Sequence, residues 1–447
     1  MALYVLHVND INLRIYRDNE VLVDEPGIAH IGDETNNFGK SARNQVKQHP
    51  RQVNCTYWHR MNLDPLGFTG PRTHNHADLL YQQINGLVEI ASLGDEDELV
   101  IAVRSNTSNE QLSLLLGVCQ ESKAQVRGLV DVSAALLSMQ NAYHNNLVLD
   151  AGLQSLTVAE IALLEDDEQQ SLQKTGCSEF SELGLLTLMD AWLAIIADRF
   201  VSDARFDPLR IADTEQQVFD QLYDWLTQPD RPFTLNIEVQ YETVTRSIEI
   251  SESVLIDKAS QRYDLLLRKI GPTQNIWLTE TTSLLPGLKQ VLVGAGHTVT
   301  SMESVNIYQA VFAQLAEIVR ESGQIQFVTA LTTSNPARAS TPNSLPARVQ
   351  TPTHILHRGF AVQLNGSRGM QIGRESFQAF AVELPGGTEE YPISLRIGER
   401  GLHLGIPSGS GWLINDKTPG PGQELFAGDK LCLDREQLEF IRVEDGT

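Results

Sequence analysis

Strand-like and helix-like periods alternate along the first three quarters of the chain. ALYVLHVN and NLRIYRD read as two strands, Asp18-Asn19 as a tight turn, and EVLVDEPGIAHIG as a third strand, because β-prone residues recur between turn formers. An acidic loop from Asp95 feeds the apolar strand ELVIAVRS. Leu112, Leu115, Leu116 and Cys119 then fall at helical spacing and predict a helix over 109–121. A strand at 126–129 and a helix over 132–145 lead into LVLDAGLQSLTVAEI, where a Val/Leu run enters a turn at Asp150 and Gly152 and returns from Leu156 to Ile161.

After that hairpin the pattern predicts a polar segment over 164–181, with Glu165 to Glu168 as a solvated loop, and a helix over 183–200 with Leu185, Leu188, Trp192 and Ile196 on one face. Next come a helix over 213–226, two short strands within 234–250, a helix over 253–270, a buried strand at 275–279, a helix over 285–293 and a long helix over 305–319. Trp192 and Trp225 share helical spacing with leucines, which marks them as core. This alternation is that of a layered α/β domain. Residues 331–353, with Pro336, Pro342, Pro346 and Pro352 and little that could form a core, read as a flexible linker. Residues 354–447 are rich in short β-like runs and glycines and predict a small all-β sandwich. No internal repeat of fixed period is visible.

Composition narrows the function. The 447 residues suffice for two or three cored domains, and 41% hydrophobic with 20% charged residues is ordinary for a soluble protein. With 57 acidic against 34 basic residues the formal net charge is −23, which argues against nucleic acid or an anionic membrane and leaves protein partners. No run of 18 apolar residues or signal-peptide pattern is present, so membrane insertion is not expected. Cys55, Cys119, Cys177 and Cys432 are scattered without a CxxC pair, which fits a reducing cytoplasm. His74-Asn75-His76 with Asp78, and Cys55 with His59, match no strong zinc spacing and read as polar loop.

The order of these elements resembles the nucleotide-binding domain shared by actin-like proteins and DnaK-type heat-shock chaperones. NLRIYRDNEVLVDEPGIAHIG and FGKSARNQVKQHP are similar to the first phosphate hairpin and its following segment in bacterial actin-like proteins. LVIAVRSNTSNEQLSLLLGVCQES and VRGLVDVSAALLS resemble the chaperone strand–helix–strand and its first connecting helix. LVLDAGLQSLTVAEI resembles the second phosphate hairpin, NIWLTETTSLLPGLKQVL the adenosine segment, and ESVNIYQAVFAQLAEI the second connecting helix. The resemblance covers residues 1–330. It implies an α/β, two-lobed actin-like ATPase fold of ribonuclease-H-like repeats, followed by the small β sandwich.

Where the family carries its ATP chemistry, this chain departs from it. His7, Asn9 and Asp10 replace the first hairpin's Asp-Gly-Thr-type opening, and His59 and Arg60 stand where the chaperones have a catalytic lysine before an arginine. Only Asp150 and Gly152 remain of the glycine-rich second turn, whose cofactor-binding set here would be Asp150, Gly152 and Ser155. Glu280 and Thr281 replace the adenosine glycines, Asp220, Gln221, Tyr223 and Asp224 lack the cations of the adenosine helix, and Gln309 replaces a small residue. ATP brings three to four negative charges, roughly, that a pocket must offset with N–H groups, lysine or magnesium. The first expectation is therefore a cytoplasmic, bacterial, non-catalytic pseudo-ATPase that acts as a scaffold or adaptor and needs no cofactor. The rival is an atypical ATPase in which Asp150, Asp10 and Asp131 hold magnesium for ATP.

The C-terminal region resembles a forkhead-associated domain. MQIGRESFQAF carries a Gly-Arg motif at Gly373 and Arg374, and IPSGSGWLINDK and QELFAGDKLCL resemble the family's turn and closing strand. The resemblance implies phosphothreonine binding through Arg374, Ser394 and Ser410, with a phosphoprotein as partner. Ile397 and Ser410 stand where the family has histidine and asparagine, so phosphate-independent docking is the favoured alternative. Thr341-Pro342 and Thr351-Pro352 fit linker composition and, alternatively, phosphorylation sites.

Overall fold

Asp18 and Asn19 adopt φ of 49° and 70°, the left-handed conformation that a two-residue hairpin turn needs at both central positions. The turn joins β2 (Leu13–Arg17) to β3 (Glu20–Glu25), with Arg17 opposite Glu20. β1 (Leu3–Val8) lies antiparallel to β2, and on its other side β4 (Glu98–Val103) and then β5 (Gln125–Asp131) run parallel. β4 is buried from Leu99 to Val103, which explains its unbroken apolar run. The computed structural model describes residues 2–333 except 95, 123, 167–168, 229–230, 303–305 and 321–324, and, farther on, 354–357, 360–363, 370–372, 393–398, 401–405, 413–414, 423–425, 429–433 and 436–441.

The same strand order occurs a second time. β6 (Asn145–Ala151), β7 (Leu156–Asp166) and β8 (Gln169–Phe180) form an antiparallel meander, and β9 (Asn275–Leu278) and β10 (Thr298–Ser301) add in parallel on the far side of β6. The sheets thus read β5-β4-β1-β2-β3 and β10-β9-β6-β7-β8. Phe327–Val328 extends the first beyond β5, and Ala330–Thr332 the second beyond β8. Topology repeats where the sequence does not, because a strand order requires only matching patterns of burial and turns.

Inner faces of both sheets share one core. Val5, Val100 and Val130 from the first and Val148, Ala159 and Ile161 from the second close on the helices Val132–Ser138 and Ile307–Ala313 through Ala134, Leu137, Ala310 and Val311. A side chain such as Leu137, fully buried, contributes about 1.5–3 kcal/mol by leaving water. Helices His76–Ile90 and Asn109–Glu121 cover the outer face of the first sheet. Leu185–Ala204, Ala212–Leu226 and Glu252–Ile270 form the core beside the second. Trp192 and Trp225 are buried there.

Three expectations need correction. Residues 164–181 are not an unpaired polar segment: Gln169–Phe180 pairs with β7 along its length, with a bulge at Thr175, and only Leu172 among its described side chains is deeply buried. Backbone pairing needs no apolar alternation when both strand faces are largely wet. The helix over 132–145 ends at Ser138, because Asn146 folds the next turn by accepting from Tyr143 N–H and donating to its carbonyl. The long helix over 305–319 breaks at Gln314, at φ −108° and ψ 13°, where its amide donates to Thr332 O. Asp167 and Glu168 of the acidic run lie outside the described residues.

The chain divides into two compact units, Met1–Ala337 and Arg338–Thr447, and the division falls within the proline-rich stretch. Described elements of the second unit are all strands. One antiparallel sheet runs Phe360–Gln363, His354–His357, Glu436–Ile441, Lys430–Leu433, Leu413–Ile414; the other runs Met370–Ile372, Ile393–Gly398, Gly401–Gly405, Gln423–Leu425. Ile414, Leu425, Leu431 and Phe440 are buried. Among the described residues, no helix is long and apolar enough to cross a membrane.

Candidate functional site

β1 and β6 occupy corresponding positions in their sheets, and the turns at their ends meet. Asn9 donates from Nδ2 to Ala151 O at 2.8 Å and to Asp150 Oδ1 at 3.2 Å, while its Oδ1 accepts from Ile11 N–H. Asp10 Oδ1 accepts from Leu153 N–H at 2.8 Å. A backbone amide at such a turn is suited to an external anion. Here an internal carboxylate takes it.

Arg104, the first residue past β4, ties the knot. Its Nε donates to Asp150 Oδ2 at 2.9 Å, and its Nη2 to Asp150 O, Ser155 O and Thr157 Oγ1. A β-carbon on Gly152 would come within 2.3 Å of Arg104 Nη1 and 2.7 Å of Asp10 Oδ1, so the approach requires glycine. Asn9, Asp10, Arg104 and Asp150 are all buried. Burying these charges is tolerable only because they are paired and hydrogen-bonded.

Both carboxylate oxygens of Asp150 are engaged. Besides Arg104 and Asn9, its Oδ1 accepts from Thr279 Oγ1 at 2.9 Å and Thr281 Oγ1 at 3.1 Å. Ser155 donates its hydroxyl to Glu179 while its carbonyl takes Gly152 N–H. Asp131 lies elsewhere: it caps helix Val132–Ser138 through Ser133 and Ala134 N–H, accepts from Ser105 Oγ, and pairs with Lys174 Nζ at 3.0 Å. Asp10 and Asp150 are thus brought together, and Asp131 is committed to a helix cap.

Burial pushes the Asp10 carboxyl above its ordinary range, against the pull of Arg104 and the Leu153 amide. Its Oδ2 is buried without a hydrogen-bond partner among the described residues. Burial also pushes the His7 imidazole down to about 4, with Asp150 pulling the other way. Beside Asp10 a cavity of about 20 Å³ is lined by Trp58, His59, Arg104 and Gln111. That space holds about one water, whereas small-molecule sites span about 300–1,000 Å³.

Most of the remaining positions singled out in the sequence are engaged as well. Glu280 receives Arg14 Nη1 at 2.6 Å and Nη2 at 3.0 Å, and Arg14 Nε reaches Asp24 at 2.9 Å. Thr282 bridges Leu149 O and Ala151 N–H. On helix Ala212–Leu226, Tyr223 donates to Ile11 O and lies 4.6 Å beneath Arg43, which pairs with Asp224 at 3.1 Å. Gln216 binds Lys47 N–H and Arg43 O, and donates to Asp220. Segment 40–47 therefore covers that helix. His59 lies 3.5 Å from Glu179, Arg60 closes the short helix Tyr57–Arg60, and Gln309 is exposed. Asn75 and Asp78 form a reciprocal helix cap, and His76 bonds Asn62.

The cations Arg14, Arg43 and Arg104 were not legible as site residues, because each acts on a partner distant in sequence. The weak signal available was an arginine directly after the buried run LVIAV. In the second unit Arg374 and Ser410 lie outside the described residues, and Ser394 sits in strand Ile393–Gly398 opposite Gly405. Among the described residues no cluster of three His, Cys, Asp or Glu side chains could hold a metal. The chain matches none of the protein-family models, and a search of curated proteins finds no match.

Proposed function

We propose that the chain is a DnaK/actin-like pseudo-ATPase that works without nucleotide as a scaffold or adaptor in a protein complex, and that its second unit is a forkhead-associated-like docking module. The repeated strand order, the two helices packed between the sheets and the facing turns support the superfamily reading. One observation carries the loss of ATP chemistry: Asp10 and Arg104 fill the space over Gly152 and take the turn's Leu153 amide themselves.

Magnesium and a triphosphate do not fit this donor set. Every Asp150 oxygen is already engaged, and magnesium demands near-octahedral oxygen ligation with several waters. Opening the knot would strand Asp150 or Arg104 as an unpaired buried charge. A closed cleft remains useful as rigid architecture, and a tethered second unit raises the effective concentration of a shared partner.

Calorimetric titration of the full chain with ATP and ADP, with and without magnesium, tests the reading. No heat at millimolar nucleotide is expected. A dissociation constant of micromolar order, about −8 kcal/mol, would overturn it.

A further inference from the structure

The two-stranded hairpin Thr234–Tyr241 and Val244–Ser251 has two edges, and the chain treats them differently. Helix Ala212–Leu226 covers the first. Gln221 accepts from Glu238 N–H at 2.9 Å and donates to Glu238 O at 2.8 Å, and Gln217 does the same at Gln240, at 2.8 and 3.0 Å. Two side-chain amides thereby replace a neighbouring strand.

That arrangement fixes the phase of the other edge. Glu238 and Gln240 turn their backbone groups away from the hairpin, so their opposite residues Ser247 and Thr245 turn theirs outward on the far side, as does Glu249 opposite Asn236. The bond from Glu252 N–H to Phe233 O falls in the same alternation. Among the described residues nothing takes up these outward groups. Proteins usually blunt such edges; here helix Leu185–Ala204 packs beside the second strand, yet no described group bonds its outward backbone as Gln217 and Gln221 bond the first.

The unbonded edge borders, at its 249–251 end, a groove of about 640 Å³. Ile195, Asp198, Arg199 and Ser202 of helix Leu185–Ala204 line one side, and Glu249 and Val254 the other. Arg199 is held by Asp203 at 2.7 Å, whereas Asp198 and Glu249 have no ion-pair partner among the described residues. The groove's unspent charge is therefore negative.

We propose that the outer edge of Val244–Ser251 binds an extended, basic segment of a partner protein by strand addition. Backbone bonds to Thr245, Ser247 and Glu249 would supply affinity, and lysine or arginine facing Asp198 and Glu249 would supply selectivity. A second copy is a poor occupant, since it would bring the same unpaired acids together in a chain of net charge −23. The proposal deepens the scaffold reading and rests on it for the existence of a partner. Nucleotide titration judges that reading, and the experiment below judges the edge alone.

Selection of a phage-displayed decapeptide library on the full chain is the test. Sequences with lysine or arginine at alternate positions are expected to enrich. A synthetic winner should bind about tenfold more weakly, a loss of about 1.4 kcal/mol, to Ser247→Pro, which removes an outward N–H and no hairpin bond. Asp198→Lys/Glu249→Lys should weaken it similarly without touching the backbone, which keeps the test valid if the proline variant unfolds. N-methylation of alternate peptide amides should abolish binding. No enrichment, enrichment of acidic peptides, or binding that the charge-reversed variant leaves unchanged would overturn the proposal. So would a dimer in sedimentation that either variant dissolves, which would assign the edge to a second copy.

Discussion

Arg104 lies over Gly152, its Nη1 occupying the space within 2.3 Å of where a β-carbon would stand. The contact joins the end of β4 to the turn after β6, so one glycine controls how closely the two sheets approach. Gly152→Ala forces Arg104 or Asp10 to move from positions fixed by buried hydrogen bonds. Overpacking of this kind costs about 1–3 kcal/mol, and urea unfolding should show the unfolding free energy lowered by that amount, with a correspondingly lower midpoint. An unchanged midpoint would mean that Arg104 can relocate freely and that the knot is loose.

The Arg104–Asp150 pair is the sharper test. Arg104→Met leaves Asp150 buried without its cation, and breaking such a pair costs about 3–5 kcal/mol. Adding Asp150→Asn removes the stranded charge and should restore part of the loss, giving a clear coupling in a double-mutant cycle. A single-variant loss below about 1 kcal/mol would show that the network does not hold the sheets together.

Arg14–Glu280 looks alike on paper and should behave differently. Two short bonds join them, yet the Glu280 side chain is 53% exposed. Solvent screens such a pair, so Glu280→Gln should cost at most about 1 kcal/mol and the difference should shrink in 1 M salt. A loss as large as that of Arg104→Met would mean that Arg14 is the true fastener.

Local chemistry was legible in the sequence. Asp18-Asn19 announced a hairpin, the spacing of Leu112, Leu115, Leu116 and Cys119 announced the helix Asn109–Glu121, and LVLDAG marked a turn at Asp150 and Gly152. Long-range chemistry was not. Arg104 gains its meaning from a carboxylate on another sheet, and its place after LVIAV marks it only weakly and does not say which partner it meets. The polar strand Gln169–Phe180 was missed because its partner is a backbone and not a core. The repeated strand order left no trace because packing constrains pattern and not identity.

Gln217 and Gln221 offer a prediction about an edge that the chain does cover. Together they make four hydrogen bonds to the strand Thr234–Tyr241. Replacing both by alanine leaves those backbone groups to water at a net cost of roughly 2 kcal/mol. It also exposes a pairing edge, so sedimentation velocity should show concentration-dependent association absent from the parent chain. A double variant that associates no more than the parent and is equally stable would reduce the two glutamines to surface decoration.

His7 gives stability a pH dependence of definite sign. Its folded value is about 4 against an ordinary 6.5, because burial disfavours the imidazolium. Above pH 6.5 both states keep it neutral and it contributes no slope. Between 6.5 and 4 the unfolded chain binds a proton that the folded chain refuses, so stability falls with pH by about 3 kcal/mol across the window, at about 1.4 kcal/mol per unit. Asp10 works in the opposite direction, since its raised value lets the folded chain hold a proton that is lost as pH rises. Comparing the parent with His7→Gln isolates the histidine, because Asp10 titrates in both. The variant should lose less stability than the parent between pH 7 and 4 in urea unfolding. Parallel curves would mean that His7 accepts its proton in the folded state, and the closed, water-poor packing behind the Asn9–Asp10 turn would have to be abandoned.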